Sequence, residues 1–184
     1  MHTGGEGSVQ KLAGAVKKVY DAVKAVRGPS GAPGKTFAQR TFERGPLPGK
    51  NSISPAPLNE IFALQGEAKD GMVKFTIGRP AKMGGITIGK EMGVNTWAAF
   101  AGSDDNAIVD GDFAVTEDEL QPALNSLRAA GINIVAIHSH MTHETPRILF
   151  FHYWGRGPAK DLANAVKGAL LASGLSAVST SAQN

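Results

Sequence analysis

The chain has 184 residues, 42% apolar and 19% charged, with no cysteine and a formal charge of +3. That length sustains a core without disulfides, and the lack of cysteine excludes zinc–thiolate fingers, iron–sulfur clusters and thiol catalysis. The longest apolar runs fall well short of the ~18 residues of a membrane span, so none is expected. Charge is uneven: residues 1–50 hold nine Lys or Arg against three acids, and residues 51–184 hold ten against thirteen. The basic character belongs to an N-terminal arm, and groove-reading motifs are lacking, so no nucleic-acid partner is expected. The opening MHTGGEGSVQKL has no signal-peptide pattern, as would also hold for a mature form whose leader had been removed.

In chain order, Ser8 is placed to cap a helix carrying Val9, Leu12, Val16, Val19, Val23 and Val26, an apolar stripe with lysines opposite. Such a stripe suits packing on its own domain or on a second copy, and a partner-binding or membrane-surface role is the functional alternative. Gly28 to Gly34 reads as a Gly/Pro linker, giving an arm over 1–34 and a domain over 35–184. Leu58 to Gln65 suggests a short helix. Alternation then predicts strands over 72–78, 84–88, 94–101 and 107–115. Thr116 and Glu119 have capping-box spacing ahead of a helix bearing Leu120, Leu124 and Leu127, which Gly131 ends. Strands over 132–140 and 147–154 follow, and Pro158 opens a helix with Leu162, Val166 and Leu170. Residues 173–184 read as a frayed tail. Hairpins alternating with helices predict an α+β fold, an antiparallel sheet with helices packed on one face, plus the N-terminal helical arm.

Four of the five histidines fall within fifteen residues, from His138 to His152. In a strand, positions i and i+2 share a face, so His138 and His140 can offer two imidazole nitrogens to one ion. His143 and Glu144, in the connection, are candidate further donors. His152 joins only if the hairpin register sets His138 opposite Phe150, because a slip of one residue turns it to the other face. Neutral imidazoles with a carboxylate suit a divalent ion, zinc first, with copper, iron or manganese as alternatives. Histidines at a strand end also serve as surface residues or polar-network members.

Arg147, beside this cluster, could orient a carboxylate, phosphate or sugar acid over a bound ion, or pair with Glu144. Glu144 and Arg147 are thus the candidate catalytic residues. Asp110 and Asp112 lack the donor run of a calcium loop, and turn chemistry accounts for Asp104 and Asp105. Trp97, Phe100, Phe150, Tyr153 and Trp154 read as core or pocket wall. Ser139 falls on the strand face opposite both histidines, which disfavours a Ser–His pair, and dinucleotide, phosphate-loop and nucleophile-elbow motifs are absent. His138, His140 and Glu144 also meet the cupin spacing His-x-His-x-x-x-Glu, making a jelly roll the competing architecture.

Asn95-Thr-Trp-Ala-Ala-Phe-Ala-Gly102, Val109-Asp-Gly-Asp112, His138-Ser-His140, Glu144-Thr-Pro-Arg147 and His152-Tyr-Trp-Gly155 occur in order. Over about residues 55–172 the chain resembles the LppY/LpqO family of bacterial proteins of unknown function. That family often has Asn where Ser139 stands. The resemblance implies an exported, extracytoplasmic protein, although no lipobox cysteine is present. The expectation is a metal-binding domain, whose catalytic form would be a metal-dependent enzyme on a small oxygen-bearing or saccharide substrate. The alternative is a non-enzymatic envelope binding or assembly module with a polar histidine pocket, and a homo-oligomer is compatible with either.

Overall fold

Period-two burial along the strands builds the structure, a computed structural model that describes residues 5–27 and 45–175. The Gly/Pro linker and the tail beyond residue 175 lie outside the described residues. The chain forms two units, residues 1–43 and 44–184. The first contains helix α1 (Val9–Arg27), where Ser8 Oγ accepts the Lys11 N–H at 3.3 Å. Among the described residues, no helix is long and apolar enough to cross a membrane.

The second unit is α+β. It runs α2 (Pro55–Phe62), β1 (Glu67–Lys69), β2 (Met72–Gly78), β3 (Ala81–Met83), β4 (Ile86–Ile88), β5 (Asn95–Gly102), β6 (Ala107–Val115), α3 (Glu117–Ala129), β7 (Asn133–His138), β8 (Leu149–Gly157) and α4 (Ala159–Ala172). Six strands form an antiparallel sheet in the order β1-β2-β5-β6-β8-β7. One strand was expected over 84–88. A hairpin of β3 and β4 stands there instead, because Gly84 and Gly85 take positive φ at its turn. The early helix begins at Pro55 and ends where Ala63 turns left-handed, upstream of its expected span.

The two sheet faces differ. Val73, Phe75, Ala98, Phe100, Val109, Phe113, Phe151 and Tyr153 face the helices and are buried with Leu58, Phe62, Leu127, Leu162 and Val166. Phe113 and Phe151 stack at 5.0 Å between ring centroids. Alternate residues point to the opposite face. One end of that face is closed by a smaller cluster of Ala81, Ile88, Val94, Ala114, Ile148 and Phe150, with Met141 packed on it. The face continues beyond this cluster through Trp97, Asp110, Asp112, His152 and Trp154, matched across strands by register.

The capping box forms at α3, with the Thr116 N–H donating to Glu119 Oε2 at 2.9 Å. Glu119 also accepts from Arg79, at 2.5 and 3.1 Å, and Arg79 donates to the Ala114 carbonyl. Burial acts to raise the Glu119 carboxyl, but the hydrogen bonds from Arg79 and Thr116 outweigh it and hold it below the ordinary glutamate value. Replacing Glu119 by Gln is therefore expected to cost about 1.5–3 kcal/mol in urea unfolding at neutral pH. Because the folded value is depressed, that difference should shrink as pH falls below about 4.5 and the wild-type carboxyl takes up its proton. An unchanged difference at low pH would rule the ion pair out as its source.

Candidate metal centre

Adjacent strands carry three histidines and one aspartate to the face opposite the helices. β7 and β8 pair with His138 opposite Phe150 and Ala136 opposite His152, and β8 and β6 pair with His152 opposite Asp112. This is the register in which His138 and His152 share a face. β7 reaches it through an irregularity between Ile134 and Ala136, where Val135 is an extra residue without a partner on β8. His140, two residues beyond His138, returns over the same patch. Its ring stacks on Phe150 at 3.7 Å and 12°.

The rings meet closely. The His138 and His140 Nε2 atoms are 2.8 Å apart, one donating to the other, so at least one ring is neutral. His138 stacks on His152 at 4.8 Å between centroids. His152 Nδ1 lies 3.8 Å from Asp112 Oδ1. Asp112 is only 4% exposed, and its Oδ1 has no hydrogen-bond partner. Burial raises the Asp112 carboxyl above its ordinary value, against the pull of His152, His140 and His138. Burial lowers His140, Asp112 opposes this, and His138 and His152 add to the lowering. A neutral imidazole beside a desolvated carboxylate is the protonation state that ligates a cation. In this side-chain arrangement, no group of three or more His, Cys, Asp or Glu side chains among the described residues is placed to hold a metal ion.

The other expected site residues occupy the connection between β7 and β8. Glu144 is buried, and its Oε1 accepts the Ile148 N–H at 3.0 Å, closing that loop. His143 is exposed and takes a left-handed φ of 66°. Arg147 is exposed, and no ion pair joins it to Glu144 among the described residues. These three line a hollow of about 450 Å³ with Ser139, Met141 and Thr142. The structure thus joins His138, His140 and His152 to Asp112 and sets His143, Glu144 and Arg147 in the neighbouring loop. Asp112 escaped the sequence reading, which weighed it only as a calcium donor. Its signal is a charge directly before the apolar run Phe113-Ala114-Val115, in a strand that alternates apolar residues toward the core.

The fold and this patch define a class: an α+β domain with a histidine–carboxylate cluster on the sheet face that the helices leave uncovered. The sequence pattern of the family described as Domain of Unknown Function (DUF1259) matches residues 56–172, well over half of the chain, and the chain belongs to that family. Comparison with curated proteins and with solved structures gives no match.

Proposed function

We propose that this domain binds one divalent metal ion through His138, His140 and His152, with Asp112 as the carboxylate donor. The observation that carries the reading is the approach of two Nε2 atoms to 2.8 Å beside a buried carboxylate oxygen that no protein donor satisfies. Adjacent nitrogens on a tetrahedral ion with bonds of about 2.05 Å stand about 3.3 Å apart, so small ring rotations would convert the hydrogen-bonded pair into two ligands. Three imidazoles and one carboxylate suit zinc first, with iron, manganese and copper as alternatives.

The finer reading is a metal-dependent enzyme of the cell envelope, exported as the LppY/LpqO resemblance implies. Its ion would act as a Lewis acid on a small oxygen-bearing or saccharide substrate. In that reading Arg147, in the hollow beside the cluster, anchors an anionic group of the substrate. Glu144 and His143 border the same hollow, where Glu144 would serve proton transfer or hold the loop. The rival is a non-enzymatic envelope or assembly module with a polar histidine pocket. It draws on the His138–His140 hydrogen bond, which partners the two rings without an ion.

Elemental analysis of untagged protein, as purified and after zinc loading and desalting, separates the two. About one equivalent of metal per chain is expected. Protein that retains no metal after loading would leave the polar pocket as the correct reading.

A further inference from the structure

Helix α1 has an apolar stripe whose side chains remain exposed: Val9 at 78%, Val16 at 41%, Val19 at 40%, Tyr20 at 64% and Val23 at 37%. A lone helix of 19 residues is marginal in water, and this one contains five valines and Gly14, all weak helix formers. It gains stability by resting the stripe on a surface. Charge selects which surface. The helix carries Lys11, Lys17, Lys18, Lys24 and Arg27 against Asp21, a balance of +4, and Lys17 is paired with Asp21 at 2.7 Å. A second copy would bring the same positive charge and be repelled, whereas a surface of fixed negative charge is attracted.

The placement of the lysines narrows the choice further. At 3.6 residues per turn, Lys17 and Lys24 border the stripe on one side, Lys11 and Lys18 border it on the other, and Asp21 lies diametrically opposite. Lysines on both borders can lay their methylenes along an apolar boundary and lift their ammonium groups to phosphates. The stripe is mostly short branched valines and lacks the row of large anchors that a helix inserts into a protein groove. We propose that α1 lies flat on an anionic lipid bilayer, valines at the headgroup boundary and the four lysines among the phosphates. This association is independent of the metal centre.

The test is co-sedimentation of the full, untagged chain with vesicles of phosphatidylcholine alone or with roughly one third phosphatidylglycerol. Binding is expected to the anionic vesicles, about tenfold or more weaker in about 0.5 M salt. Val16→Asp with Val19→Asp should abolish it, and Lys11→Glu with Lys18→Glu should weaken it by more than about tenfold. Both variants should keep the wild-type metal content and the melting transition of the α+β unit, which shows that the loss is not unfolding. Absent binding to anionic vesicles, or equal binding to neutral ones, would overturn the proposal. A dimer in sedimentation velocity that the aspartate variant dissolves would instead assign the stripe to a second copy, and equal capture by an acidic polypeptide would assign it to a protein.

Discussion

Asp112→Asn is expected to weaken zinc binding by about a hundredfold or more, about 2.7 kcal/mol, while Glu144→Gln leaves it nearly unchanged. The two carboxylates are both buried, but their environments differ. Glu144 has a backbone N–H on its Oε1, whereas Asp112 Oδ1 has no donor and stands 3.8 Å from His152. Removing a charged donor from a buried site forfeits the attraction to the ion. It also removes a desolvation penalty from the metal-free protein, so Asp112→Asn should melt no lower than wild type without metal. Titration calorimetry of both variants, paired with melts in chelator, gives the comparison. Loss of affinity in Glu144→Gln with none in Asp112→Asn would move the carboxylate donor to the loop. His138→Ala with His140→Ala should abolish stoichiometric binding altogether.

Gly111→Ala should be the most damaging small substitution in the sheet, at about 3 kcal/mol, or roughly 10 °C in melting temperature. Gly111 lies on the helix side of β6, between Ala98 and Tyr153. A β-carbon there would run into the Tyr153 hydroxyl and ring and the Trp97 carbonyl oxygen. Tyr153 cannot retreat cheaply: it is fully buried, and its hydroxyl donates to that same carbonyl at 3.1 Å. Burial, with Asp110 and Asp112 nearby, holds this hydroxyl protonated and so keeps it a donor. The next residue is Asp112, so relief of the clash by backbone movement should also lower metal affinity. Urea unfolding within about 0.5 kcal/mol of wild type would contradict the packing.

Much of this fold is readable from residue order. The run Ala107 to Val115 and the box Thr116 to Glu119 each carry a local pattern, of alternation or of capping, and both elements stand where that pattern sets them. The stretch from Ala81 to Ile88 was less legible, because two glycines make a turn out of what alternation reads as one strand. The site divides in the same way. His138 and His140 stand two residues apart, so their proximity was legible, but β7 ends at His138 and His140 reaches the patch from the connection rather than from the expected strand pleat. Asp112 and His152 join them only through pairing across three strands, and local spacing does not encode pairing. The carboxylate nearest in sequence, Glu144, was therefore preferred to one 26 residues before His138 that the sheet places next to His152.

The unpartnered Val135 has a consequence of parity. Ile134 pairs with Tyr153 on the helix side and His138 pairs with Phe150 on the other, although both positions are even. One inserted residue inverts the phase of the strand halfway along it. The first half of β7 can thus feed the core while its end delivers imidazoles outward. Deleting Val135 would set Ile134, Ala136, Ile137 and His138 in unbroken alternation against Tyr153, His152, Phe151 and Phe150, so His138 would keep its face beside His152. A one-residue deletion here should therefore spare the centre, whereas a residue inserted between Ile137 and His138 would turn His138 to the other face and act as a ligand substitution would, with all four donors still present.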